Sequence, residues 1–365
     1  MSNSLTRIWD ALWGRGEFSI TVPSMDGALR PNVRLDDASV TLAAPGLDDL
    51  AVAGGALYFS QGEKLFALDG QGKEPRLVKT WHAPISALAV SAGGELAIGF
   101  DTGGAVIRPT TDDGGEVAID LPQKDASPTA MSFAADGSLL ICVGASGRRA
   151  SEWKRDLMTH GSNGTVWRVP ASRARAEKVG QDMAFPAGVV ADTAGAPVVS
   201  EAWKHRLVRR RSNGSWETVL GDIPGYPGRL ARMASGRGYW LSVFAPRSQM
   251  IEFVLREKVY RERMIAEVPE DFWMAPSLRA GRSFKEPLQG GGVKHLGIHK
   301  PWGPTRSYGL LVRLDEDFKP VESFHSRSDG KRHGVTSAAD WNGATMVASK
   351  GDGVLVALAT AGTQA

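Results

Sequence analysis

Two short stretches bring chemically capable side chains close together. Glu201, Trp203 and His205 stand in Glu201-Ala202-Trp203-Lys204-His205, where an acid and an imidazole could serve as a base and its orienter. Alternation along a strand sends Glu201 and Trp203 to one face and leaves His205 in the turn beyond, so the same residues also read as a turn between strands. His295 and His299 have the spacing that lets two imidazoles share a metal on a helix, but Gly291, Gly292 and Gly297 oppose a helix there and no third ligand lies nearby in the sequence. His333, a lone imidazole ahead of an apolar run, is a weaker candidate. Cys142, the only cysteine, lies in Leu139-Leu140-Ile141-Cys142-Val143. It rules out an intrachain disulfide and a cysteine-rich metal site, and reads as a buried thiol. No Gly-x-Ser-x-Gly elbow and no Gly-rich phosphate loop with Lys-Ser/Thr is present, which sets aside the common serine-hydrolase and nucleotide-driven mechanisms.

The composition indicates which elements must position such groups. Of 365 residues, 42% are hydrophobic and 23% charged, ordinary globular usage able to bury a large core. The net charge is +3 and the basic residues are dispersed, apart from Arg148-Arg149 and Arg209-Arg210-Arg211, which argues against nucleic acid as a partner. No run approaches the roughly 18 to 20 apolar residues that cross a bilayer. The start, MSNSLTRIWDALWGRGEF, lacks the order of a signal peptide, so the sequence points to a cytoplasmic protein. Forty-three glycines, set between short β-branched and aromatic runs, indicate a many-turned β protein.

One phrase recurs: an apolar alternating run, a Gly-containing turn, then a second apolar run. It starts at Leu47, Ile85, Thr129, Ala187, Arg229 and Thr336, and four of the five intervals are about 38 to 58 residues, in or just above the range of a propeller blade. Six units predict an all-β, six-bladed β-propeller in which the first strand of each blade lines a central tunnel. The last unit, Thr336 to Leu358, supplies about three strands, and Ala38 to Leu42 supplies the missing outer one. This gives a propeller over 38–365 and an N-terminal arm over 1–37, whose Ile8, Trp9, Leu12 and Trp13 share one possible helical face. The long fifth interval holds an insertion in blade five at about 248–306, helical from Ser248 to Ile265 and loop-like through Pro276, Pro287 and Gly290-Gly291-Gly292.

Phe185-Pro186-Ala187-Gly188-Val189, Ser200 to Leu207, Gly225-Tyr226-Pro227, Ala245-Pro246-Arg247 and Tyr308 to Asp317 resemble the strictosidine-synthase-like family. That family belongs to the six-bladed group that includes gluconolactonases and paraoxonase-like esterases. The resemblance is dense from about 183 to 358 and weaker over about 26 to 182. It implies chemistry on the tunnel-facing first strands, at a mouth formed by Asp48, Ser86, Thr129, Arg229 and Thr336. Calcium-dependent relatives hold the ion with oxygen ligands; here Asp48 matches the first acid, while Thr129, Ala187, Gly228 and Arg229 stand where amides or acids are expected. The base of the Pictet–Spengler enzymes is matched by Thr336, which cannot play that part, so strictosidine synthesis is not expected.

The expected function is a metal-independent ester or lactone hydrolase without a cofactor. Arg229 would be the partner of an anion or oxyanion and Asp48 or Glu201 the base, with Trp203, His205 and His333 near the mouth. The insertion would act as a lid whose Phe272, Trp273 and Trp302 line an apolar pocket. The competing expectation is a non-catalytic propeller that binds a small, anionic molecule or a protein, with Arg229 paired to Asp48 as a plug. Because an ion needs six to eight oxygens and a guanidinium repels it, the purified, dialysed protein should carry no stoichiometric calcium in metal analysis; one ion per chain would contradict the inner-strand assignment.

Overall fold

In a computed structural model of the chain, the structure describes residues 22–70, 72–110, 115–123, 125–287, 294–295, 298–299 and 305–359. Six antiparallel four-stranded sheets form a six-bladed β-propeller. The inner strands are Leu47–Ala53, Ile85–Val90, Pro128–Phe133, Pro186–Ala191, Gly225–Arg232 and Val335–Trp341. Blades one to four each use four consecutive strands, whereas blade five is interrupted after its second strand, Tyr239–Pro246, and resumes at Gly309–Leu314. In blade six the outer strand is Ser39–Ala43, which pairs with Val354–Ala359 and closes the ring by joining the two ends of the chain.

Each strand alternates its side chains between two faces, and here both faces are covered because every blade is sandwiched by its neighbours. The apolar residues therefore gather into one cluster per seam. Leu50, Leu57 and Phe59 meet Trp341 and Met346 between blades one and six, and Cys142 packs with Val166, Val189 and Val208 between blades three and four. Burial pushes the Cys142 thiol up, which suits a packing role. Among the described residues, no helix is long and apolar enough to cross a membrane.

Ahead of the first strand, Asn32 lies along the outer strand of blade five. Its side-chain amide donates to Ser323 O at 3.0 Å and accepts from His325 N at 3.0 Å, taking the place of a missing strand neighbour. Residues 1–21, including Ile8, Trp9, Leu12 and Trp13, lie outside the described residues.

The blade-five insertion forms two helices, Gln249–Arg256 and Lys258–Glu267, where the sequence suggested one. Beyond them, Lys294–His295 pairs with Ile298–His299 as a short antiparallel ladder, so His295 and His299 are not on a helix. A second excursion, which the repeat did not reveal, leaves blade three after Leu139–Val143 and carries the helix Trp153–Met158.

The seam beside the tunnel is tight at Gly188, where a Cβ would stand 2.2 Å from Gly228 O and 2.9 Å from Arg229 Cα. The crowding involves backbone, which cannot rotate away. Gly188→Ala should lower stability in urea unfolding by about 1–3 kcal/mol, the usual range for overpacking; an unchanged midpoint would contradict this packing.

Candidate functional site

All six inner strands share one local feature. Each slips its pairing register near its start: between Leu47 and Leu50, Ile85 and Ala87, Pro128 and Ala130, Pro186 and Gly188, Pro227 and Leu230, and Val335 and Ser337. Such a bulge bends the strand and re-aims a side chain. The residues in these slips include Asp48, Ser86, Thr129, Ala187, Arg229 and Thr336, and all six line one cavity of about 470 Å³. The slip in blade one is wide enough to hold Asp48 and Asp49 together, so both carboxylates reach Arg229 although strict alternation would send them to opposite faces.

Arg229 occupies the centre of this floor. Its Nη1 donates to Asp48 Oδ1 at 3.0 Å and to Thr336 O at 3.2 Å, and its Nη2 donates to Ser86 O at 2.6 Å. Its Nε lies 3.1 Å from Asp49 Oδ2. One side chain from blade five thus reaches blades one, two and six. A second cavity of about 390 Å³ lies beyond Arg229, lined by later residues of the inner strands of blades one, two, three, five and six, and Arg229 borders both cavities.

Lys350 completes the charge balance, with Nζ 2.9 Å from Asp48 Oδ2. Burial alone would raise the Asp48 carboxyl, but Arg229 and Lys350 outweigh it and hold Asp48 well below the ordinary carboxylate range. Asp49 lacks the second cation; burial pushes it up, opposed by Arg229. Burial would weaken the Arg229 cation, and Asp48 and Asp49 more than restore it.

Two excursions build the walls. Asp101 accepts from Ser151 N at 2.8 Å and from Ser151 Oγ at 2.7 Å, which pins the start of the blade-three excursion and sets Trp153 against the cavity. Trp153 packs edge-on to Phe244 with centroids 5.3 Å apart. Leu278, from the blade-five insertion, packs on the same apolar cluster as Trp153 and Phe244 and lines the cavity, its carbonyl abutting Gly334 and Gly351.

The remaining candidates are placed elsewhere. Glu201 is 2% exposed, lines neither cavity, and accepts from Ala184 N at 2.9 Å, Lys204 Nζ at 2.7 Å and Arg206 Nε at 2.7 Å. Burial would raise its carboxyl, but these partners keep it below its ordinary value. Trp203 sits behind the wall, stacked on Phe185 at 4.4 Å, with Nε1 donating to Asp156 Oδ2 at 2.8 Å. His205 is left-handed (φ 50°), with Nδ1 2.8 Å from Gly225 O and Nε2 3.5 Å from Glu252 Oε1. His333 is buried between Ser307 Oγ at 2.8 Å and Arg327 O at 2.7 Å. Trp273 is fully buried under the insertion helices, bonded to Val268 O at 2.7 Å, rather than lining the pocket. Trp302 lies outside the described residues.

Sequence reasoning missed Lys350, Asp49, Asp101, Trp153, Phe185, Phe244 and Leu278, which border one or other cavity. Only Asp49 carried a signal, its adjacency to Asp48.

No protein-family model matches the sequence, and no curated protein matches it. Solved structures do. The calcium-binding protein regucalcin of Agrobacterium tumefaciens aligns over 88% of this chain and 92% of its own, with a TM-score of 0.55 and 12% identity. A putative gluconolactonase aligns over 88% and 90%, at 0.53 and 13%. A gluconolactonase from Xanthomonas campestris aligns over 88% and 87%, at 0.54 and 10%. The likeness is one of fold.

A calcium ion does not fit the residues present. Ala187 offers no side-chain oxygen, the Thr129 hydroxyl donates to Pro186 O at 2.6 Å, and Asp48 is shared between Arg229 and Lys350. A hard cation needs six to eight oxygens, and two cationic side chains already hold the one matching carboxylate. No group of three or more His, Cys, Asp or Glu able to hold a metal occurs among the described residues.

Removing one member of a buried ion pair leaves the other charge uncompensated, which costs about 3–5 kcal/mol. Arg229→Ala should therefore lower unfolding stability by roughly that amount, with part of the loss recovered when Asp48→Asn is added. Wild-type stability in the single variant would show that Arg229 holds nothing together.

Proposed function

We propose that the chain is a metal-independent hydrolase of small esters or lactones. In this reading it is a strictosidine-synthase-like propeller over 38–365 with an arm over 1–37, working in the cavity above Arg229. The observation that carries the reading is the division of labour between its two cations. Arg229 is committed to Asp48, Asp49 and backbone carbonyls, whereas Lys350 touches Asp48 and is 35% exposed beside the cavity. An ammonium carries three donors, so Lys350 can keep its bond to Asp48 and still offer N–H groups to a substrate carbonyl.

The chemistry follows from that placement. Lys350 stabilises the oxyanion as water adds to the carbonyl carbon, and Asp48 orients that water and takes the proton it gives up; the C–O bond to the alcohol oxygen then breaks, and that oxygen takes the proton from Asp48 as the acid product forms. The oxyanion role expected of Arg229 passes to Lys350, Arg229 becomes the support, and Glu201 takes no part. Two of the structures that share the fold carry the name gluconolactonase, which accords with this class of reaction.

One observation favours the second reading, a non-catalytic small-molecule binder. Asp48 is held low by two cations, and a weakly basic carboxylate removes a proton poorly. The test is turnover of a panel of lactones and aryl esters with and without a chelator. The hydrolase reading predicts chelator-resistant turnover and a fall in kcat/KM of about 10²-fold or more in Lys350→Met, the worth of one oxyanion donor. Because Asp48 is ionised above its lowered pKa and loses its charge only as pH falls through it, the rate should show no acidic limb from Asp48 at or above the ordinary value of 3.8. Ligand binding with no turnover of any panel member would favour the binder.

A further inference from the structure

We infer that the cavity selects a neutral, apolar-bodied, hydroxy-substituted cyclic ester, in preference to an anion or a sugar lactone; this rests on the reading of the same cavity as a hydrolase site. Charge excludes an anion. Among the described residues, the charged side chains lining the cavity are Asp48, Asp101, Arg229 and Lys350, and Asp49 lies against Arg229 beneath. The acids outnumber the bases, and both cations already pair with acids. An anionic ligand would lose its hydration against Asp48 and Asp101 with no unmatched cation among the described residues to receive it. This reverses the anion preference that Arg229 suggests in the sequence.

Hydrogen-bond polarity selects a hydroxyl. A threonine hydroxyl has one proton. Thr129 Oγ1 donates it to Pro186 O at 2.6 Å and Thr336 Oγ1 donates it to Asp48 O at 2.6 Å. Both hydroxyls therefore face a ligand as acceptors, while Lys350 faces it as a donor. The complementary molecule brings a carbonyl to Lys350 and an O–H to the threonine oxygens. The wall selects an apolar body: Trp153, Phe185, Phe244 and Leu278 form an aromatic and aliphatic surface that a fused or aryl ring covers and a polyol does not.

Equilibrium binding to the intact wild-type chain, by calorimetry, tests this with four probes. They are a hydroxyphthalide, unsubstituted phthalide, the hydroxylated benzoate formed when the first ring opens, and glucono-δ-lactone. The hydroxyphthalide should bind at least about ten-fold more tightly than the benzoate and the gluconolactone, the worth of roughly one hydrogen bond. Thr129→Val should remove its advantage over phthalide while phthalide affinity is kept, which shows that the site has survived the substitution. Equal or tighter binding of the benzoate or gluconolactone, no binding of either phthalide, or an unchanged advantage in Thr129→Val would overturn the inference. Binding of hydroxyphthalide without ring opening supports it and counts against the hydrolase reading alone. Ring opening of gluconolactone with no phthalide binding overturns it and leaves the hydrolase reading standing.

Discussion

A guanidinium on the propeller axis is the contact to which the rest of the inner rim answers. Strands that converge on a tunnel bring carbonyl groups and acids together, and buried polar groups of one sign require a partner. Here Arg229 supplies that partner from blade five, reaching Asp48 and Asp49 of blade one, Ser86 O of blade two and Thr336 O of blade six. The positive charge is covalently part of the fold, so it cannot dissociate, and it divides the tunnel into two cavities. The apolar seams hold neighbouring blades together; Arg229 also ties blade five to blades one and two, which are not its neighbours.

The functional consequence comes from what Arg229 leaves to others. Its donors are turned towards the protein, so the face turned to the cavity is made by Lys350, the threonine lone pairs and the aromatic wall. In the proposed hydrolase, Lys350 acts on the substrate while Arg229 shares the neutralisation of Asp48. Asp101 does the same for the wall, since its two bonds to Ser151 hold the excursion that presents Trp153. Rim and wall are thus ordered by buried polar contacts of Arg229 and Asp101.

Much of the frame was legible in the sequence, because a propeller repeats one short phrase and each copy shows its apolar run and its Gly turn. The outer strand Ser39–Ala43 could be assigned from the shortage of strands in the last unit. Asp48, Ser86, Thr129, Arg229 and Thr336 could be placed at one mouth because the repeat gives their phase, and the structure brings them to one cavity. Groups that reach the site from outside the repeat were not legible. Lys350 arrives on a turn after the second strand of blade six, and Trp153 and Leu278 arrive on excursions of unique sequence. Glu201 misled for the opposite reason: an acid two residues from a tryptophan looks chemical, yet its neighbours Lys204 and Arg206 fold back and consume both its oxygens. Trp273 looked like a pocket lining and is instead the core under the insertion, because a large ring in a short insertion buries itself where no seam is available.

The most direct test of an internal cation is a high-resolution crystal structure of the wild-type chain grown in excess calcium. The account predicts density for the Arg229 guanidinium between Asp48 and Asp49, with no ion on the axis. An ion bound to the Asp48 carboxylate, with Arg229 turned out of the tunnel, would contradict it.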